Sequence, residues 1–424
     1  MKDHCDKYGS ATTTSWNRSV CMHRASKWVA STLAFVSTVA ATPAGASPSD
    51  EWGMWQRDSA HSGYVAEELL LADRTFAWSE PAQTGTTVRG IAASRDAVFT
   101  TGTAVGSALL AQSIVDGHTL WSVPFDAATS TSAPAYAEGL IWLFENHFDL
   151  PFSQVDAGYL DAFDAITGAS VHRVPFTTNG ESVEAPTIAN GHVYFVAPAP
   201  ATPGGGFASV STATGQVDWL SQSQLGDGHV ASVANGYVYG NTVTLNVLDP
   251  VGGATVVSIV NLYDNSDQAT SKAPVLLNNN AYVTQGSKVV VFDLGLSQYA
   301  WNLDNYASGQ VATDGQEIFY LSTGALSVHD AATGALHWGW EAPISGPAGG
   351  GDISDNFIVT KSHLILTDGA NIYFINRTTH HEEASFTTGG ALAYAADTLF
   401  VADLSGNVTA FRVPTNELFH NSFE

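Results

Sequence analysis

No stretch of this chain keeps apolar residues at the 3.6-residue spacing of an amphipathic helix. Short runs rich in β-branched and aromatic residues alternate instead with turns built from Gly, Asn and Asp, a pattern that predicts an all-β chain. The runs recur. A turn followed by a strand of the form Asn-Gly-x-Val-Tyr appears eight times, at residues 96–99, 138–142, 190–194, 235–239, 279–283, 315–319, 361–365 and 397–400. Successive copies are spaced by 43, 52, 45, 44, 36, 46 and 35 residues. A period of this size is that of one four-stranded propeller blade.

A second unit follows most copies by about 20 residues, a spacing that fits the far side of the same blade. Its clearest forms are Phe163-Asp164-Ala165-Ile166-Thr167-Gly168, Val210-Ser211-Thr212-Ala213-Thr214-Gly215 and Val328-His329-Asp330-Ala331-Ala332-Thr333-Gly334. This is hairpin chemistry: Asp and Thr accept or donate within the turn, and Gly takes the positive φ that closes it. Four residues after the glycine an aromatic returns on the outgoing strand, as Trp121, Trp219 and Trp338. His172 and Val257 take that place in the second and fourth copies, and a weaker fifth copy runs to Trp301. These tryptophans, with Gly168, Gly215 and Gly334, are the expected structural residues of the repeat.

These residues resemble the quinoprotein-like (PQQ-like) propeller repeat, whose signature is Ala-x-Asp-x-x-Thr-Gly-x-x-x-Trp. The opening Trp52-Gly53-Met54-Trp55, followed by His61-Ser62-Gly63, is similar to the lead-in of such propellers. The resemblance runs from Trp52 to Pro414. It implies an eight-bladed β-propeller of four-stranded blades in a family that holds both enzymes and assembly scaffolds. Closure can be read as well. The eighth repeat ends near Val413 without an outgoing strand, whereas residues 75–81 look like an outgoing strand with no turn before them. An N-terminal strand is therefore expected to complete the last blade and remove its open edge.

The ends lie outside the repeats. Arg24 and Lys27, the apolar residues 28–41 and Ala44-Gly45-Ala46 follow the order of a secretory signal peptide, with the mature chain starting at Ser47. The expected division is a signal peptide over 1–46, a lead-in over 47–74, the propeller over 75–414 and a tail over 415–424. That tail, with Phe419, Phe423 and Glu424, is similar to a short tail on secreted gammaproteobacterial proteins. Both cysteines, Cys5 and Cys21, fall in the leader, so the mature chain would have neither disulfide nor thiolate metal site. The leader also takes five of the 15 Lys and Arg and two of the 40 Asp and Glu. That leaves 10 basic and 38 acidic residues, a formal charge of −28. Such a charge works against nucleic acid and anionic membranes as partners.

Candidate chemistry is sparse. His380-His381-Glu382-Glu383 is the densest ligand cluster, but neighbouring strand residues face opposite sides. Asp264-Asn265-Ser266-Asp267 lacks the glycine and terminal glutamate of a calcium loop. Gly204-Gly205-Gly206 and Gly349-Gly350-Gly351 lack the Lys-Ser/Thr of a phosphate loop. The longest interruption of a blade, residues 145–156, mixes acids, a histidine and aromatics. Long loops on rigid scaffolds often carry function, so Glu145, His147, Phe148, Asp149, Phe152 and Asp156 are the expected binding loop. The expectation is a secreted or periplasmic, non-catalytic monomer. It would bind an unidentified protein or glycan, without cofactor, metal, nucleic acid or membrane span. The alternative is a quinone-dependent dehydrogenase, which the resemblance implies would need a calcium site, a base Asp and a longer chain.

Overall fold

The structure is a computed structural model that describes residues 51–149, 155–176, 184–197, 206–221, 230–241, 244–260, 272–285, 288–304, 307–322, 325–341 and 357–416. The expected signal peptide, Gly204 and Gly205, Asp264 to Asp267, Gly349 to Gly351 and the end of the tail lie outside these residues. Eight sheets, each built on four antiparallel strands, form a ring, and the second and third strands are largely buried on both faces, alternate residues packing on the blade to either side. The one helical turn among the described residues is Leu71–Asp73. In each blade the first strand is innermost and touches the first strands of its neighbours. The eight recurring Asn-Gly-type turns each lead into the second strand, as at Leu140–Phe148, His192–Ala197 and Tyr237–Asn241.

The last blade holds Gly390–Ala395, Thr398–Asp403 and Asn407–Arg412, and Thr75–Pro81 pairs antiparallel with the last of these as its fourth strand. Phe76 packs edge-on against Phe411, and Trp78 sits against Phe400. The N-terminal strand thus closes the ring, and the blade's edge is paired.

Neighbouring blades are joined by the outgoing-strand aromatic. Trp78, Trp121 and Trp219 donate their indole N–H to the carbonyls of Ile114, Ala165 and Pro250, at 3.0, 3.1 and 2.7 Å. Each acceptor is the second residue of the next blade's hairpin turn. His172, which replaces the tryptophan in blade 2, makes the same contact to the Thr212 carbonyl at 3.1 Å. The turn glycine lies under the ring: a Cβ on Gly168 would come within 2.8 Å of Trp121, and one on Gly334 within 3.0 Å of Trp301. Glycine is needed there twice, for its positive φ and for the room it leaves. Blade 7 departs from this, because His380 occupies the glycine position at φ 60° and stacks its ring on Trp338 at 4.4 Å.

Residues 52–70 are part of this ring. They run around one end of it, where the inner strands finish, and bond to each blade in turn. Trp52 pairs with Ala93 of blade 1, and the amide of Tyr136 in blade 2 donates to the Gly53 carbonyl. Met54 packs against Ile188 of blade 3. The amides of Val233, Leu276, Thr313 and Val359, in blades 4 to 7, donate to the carbonyls of Ser59, Ala60, Ser62 and Gly63 at 2.7–3.1 Å. Tyr64–Val65 adds as a parallel strand to blade 7, and Leu69 bridges to Thr415 beyond blade 8. The strap carbonyls thus give partners to inner-strand N–H groups at this end of the ring. His61, fully buried, fastens the strap further: its ring nitrogens lie 2.6 Å from the Trp55 carbonyl and 2.8 Å from that of Ala231.

Candidate functional site

The opposite end of the ring is where blade 2 departs from the others. Elsewhere the second and third strands run five or six residues, but in blade 2 they are Leu140–Phe148 and Val155–Asp164. Of the segment expected as a loop, residues 145–148 and 155–156 lie in strands, a correction of the sequence reading for those residues, while 150–154 lie outside the described residues. Glu145, His147 and Phe148 lie on the second strand, paired with Tyr159, Ala157 and Val155. Asp149 is half-buried just beyond it. Phe152 lies outside the described residues, and of Asp156 only the backbone, within the third strand, is described.

Register brings five side chains onto the face of blade 2 that looks toward blade 1. Glu145 pairs with Tyr159, Asp161 pairs with Arg173 of the outgoing strand Ser170–Phe176, and His147 lies two residues beyond Glu145. Arg173 grips Glu145 with both terminal nitrogens at 3.1 Å and reaches Asp161 Oδ2 at 3.0 Å. Its guanidinium lies 3.9 Å over the Tyr159 ring. His147 Nε2 is 3.0 Å from Glu145 Oε2, and its Nδ1 is 3.3 Å from the Thr129 hydroxyl. Nε2 also lies 3.3 Å from an Arg173 nitrogen, so a ring protonated there donates to Glu145, and one protonated on Nδ1 can accept from Arg173 instead.

The two carboxyls are unlike. Burial and the hydrogen bond and charge of Glu145 raise Asp161 to about 9. It is therefore neutral at pH 7. Its Oδ2 accepts from Arg173, and its Oδ1 is buried without a hydrogen-bond partner. For Glu145, burial opposes charge, but the bonds from Asp161, Arg173 and His147 outweigh it and hold its pKa below the ordinary value. The cluster thus sets two carboxyls against one guanidinium, with the pKa of Asp161 raised and that of Glu145 lowered. The Asp161 and Glu145 side chains are 1% and 6% exposed, whereas Arg173 is 44% exposed. Beside it a cavity of about 250 Å³ opens between the blades, walled by Val123, Pro124 and Phe125 of blade 1. Sequence reasoning missed Tyr159, Asp161 and Arg173. The one available signal was charge inside otherwise apolar runs, Leu160-Asp161-Ala162 and His172-Arg173-Val174.

Other charged groups are tied into the repeat. His192 pairs with Asp218 at 2.8 Å, Glu317 with His337 at 2.9 Å and Glu383 with His363 at 2.7 Å. Each pair joins the start of a blade's second strand to the residue before the aromatic position of its fourth. A clip repeated in blades 3, 6 and 7 is architectural, and so is the cavity of about 290 Å³ beside His192 and Asp218. Arg377, only 11% exposed, fastens blade 7 to Asp314 and Glu317 of blade 6. The His380–Glu383 cluster is dispersed, with His380 on Trp338 and Glu383 on His363. Among the described residues no three His, Cys, Asp or Glu side chains are grouped to hold a metal ion. No helix among them is long and apolar enough to cross a membrane.

Comparison with known proteins agrees with the ring. BamB from Moraxella catarrhalis superposes with a TM-score of 0.60 at 14% identity, covering 80% of this chain and 99% of that one. A europium-containing methanol dehydrogenase gives 0.64 at 12% identity, over 86% of this chain and 98% of that one. A quinohemoprotein alcohol dehydrogenase from Pseudomonas putida gives 0.59 at 10%, over 89% and 82%. At such identities the likeness is one of fold. No curated protein matches the sequence. Residues 116–339, more than half of the chain, match the family model described as outer membrane protein assembly factor BamB, and the chain belongs to that family of PQQ-like propellers.

Proposed function

We propose that the protein is exported by its N-terminal leader and acts as a non-catalytic binding or scaffolding propeller, engaging its partner at the end of the ring opposite the strap. One observation carries this reading: among the described residues blade 2 alone has lengthened second and third strands, and they extend at that end, with a pre-organised polar cluster whose Arg173 is accessible. The strap occupies the inner-strand ends at the other mouth. Membership of a family described as an assembly factor supports a role in holding other molecules. The likeness to dehydrogenases is one of fold, and the polar cluster offers two carboxyls and an arginine that already satisfy one another.

The test is site-specific photo-crosslinking in the native envelope and medium. A crosslinker at Asp149 is expected to capture a partner, and one at Ile166, exposed on a turn at the strapped end, is not. Adducts from Ile166 alone, or from neither position, would contradict the reading. So would a visible absorption change of the purified protein on adding calcium with pyrroloquinoline quinone.

A further inference from the structure

We infer that the cleft between blades 1 and 2 is a binding site for a single sugar ring of a neutral glycan, held through two adjacent hydroxyls by Arg173 and Glu145. This rests on the reading of that end of the ring as the binding end, and it names the chemistry of the ligand.

Charge excludes the alternatives first. Glu145 lies across both terminal nitrogens of Arg173 at 3.1 Å, so the positive charge of the polar floor is already paired. A phosphate or carboxylate entering the cleft would meet Glu145 within about 3 Å of the arginine, and the Asp126 side chain at the rim. A cation would meet Arg173. A neutral ligand rich in hydroxyls meets neither penalty. Each hydroxyl both donates and accepts, and the cleft presents donors and acceptors side by side: guanidinium N–H groups next to carboxylate oxygens 3.1 Å away. Adjacent hydroxyls on a ring have the spacing to answer such a pair, one accepting from Arg173 and the other donating to Glu145.

Shape and rigidity agree. The cavity, about 250 Å³, is smaller than the roughly 300–1,000 Å³ of sites that take drug-sized ligands, so it suits one ring. Its walls are apolar on one side, with Phe125 fixed edge-on by Phe163, and polar on the other. A pyranose has the same two characters, an apolar C–H face and a polar rim. The polar groups are already ordered. Arg173 is locked by two carboxyls and the Tyr159 ring, and His147 by Glu145 and Thr129, so binding does not have to freeze them.

The experiment is saturation-transfer NMR on the full mature protein with the methyl pyranosides of glucose, galactose and mannose and with N-acetylglucosamine. At least one is expected to receive saturation on its ring protons. Arg173→Lys keeps the charge but loses the fork, and Phe125→Ala removes the wall without touching the charged cluster. Each should weaken binding by about tenfold or more. Asp218→Asn, in the cavity at the strapped end, should change nothing. If no sugar in the panel receives saturation, or if transfer persists in both cleft variants, the inference is overturned. A protein captured at Asp149 whose binding ignores Arg173→Lys would likewise overturn the glycan while leaving the binding reading intact.

Discussion

The two ends of the ring are built on different principles. At the strapped end almost every feature recurs from blade to blade: the Asp-x-x-Thr-Gly turn under the neighbouring aromatic, the His–carboxylate clip, the inner-strand N–H bonded to a strap carbonyl. At the other end blade 2 carries strands of nine and ten residues and a charged cluster whose members all belong to that blade. Arg377 and Arg173 put the contrast in two residues. Each binds two carboxyls, but Arg377 is buried across a blade junction, whereas Arg173 holds its own blade's acids and shows its other side to solvent. What repeats serves the ring, and what breaks the repeat is free to serve a ligand.

The largest effect should come from removing both closing elements. A chain lacking everything before Thr84 loses the fourth strand of the last blade and the strap, and it is expected to aggregate or melt far below the parent. Deleting only residues 47–66 separates the two. Since the strap bonds to seven blades through this stretch, each bond being worth about 1 kcal/mol net, the loss should reach several kcal/mol even with Thr75–Pro81 intact. Equal melting of the shorter deletion and the parent would show that the strap is ornamental.

Next in size is the blade junction. Trp338→Ala empties a buried site and removes the ring beneath His380, and it should cost about 3–5 kcal/mol in denaturant unfolding. His380→Gly restores the residue found in other blades and relieves a positive φ, so its cost should be much smaller.

A pH dependence marks the other end. Asp161 titrates at about 9 in the folded chain against 3.8 ordinarily. Between these values the folded state holds a proton that the unfolded state lacks, so stability falls as pH rises through the window and levels off above it. A side-chain amide at this position cannot titrate. The stability of Asp161→Asn relative to the parent should therefore rise from pH 5 to pH 9, read from urea unfolding at several pH values. A difference that stays flat would mean Asp161 is ionised.

The ring itself was legible because its signals are local. Turn residues such as Asp164, Thr167 and Gly168 lie within five positions, and the aromatic follows at a fixed offset. Closure was legible because the last repeat lacks a strand that residues 75–81 supply. The strap's path was not, since its bonds are made by backbone carbonyls that leave no mark on side-chain identity. Nor was the blade 2 cluster, whose members come from three strands across 28 residues and meet only through register. The 145–156 segment read as an interruption because Glu145, Asn146 and His147 are polar. In the fold they continue a strand, with Glu145 and Asn146 buried.

If the strap closes one end of the ring and the other receives the partner, the two ends should respond differently to it. Amide hydrogen exchange of the chain from Ser47 onward, alone and with solubilised envelope, reads both ends at once. Residues 52–65 should exchange as slowly as the inner strands in both conditions, and added envelope should slow exchange near Phe148, Asp149 and Val155 but not along the strap. Fast exchange throughout residues 52–65, or protection by the envelope confined to the strapped end, would contradict it.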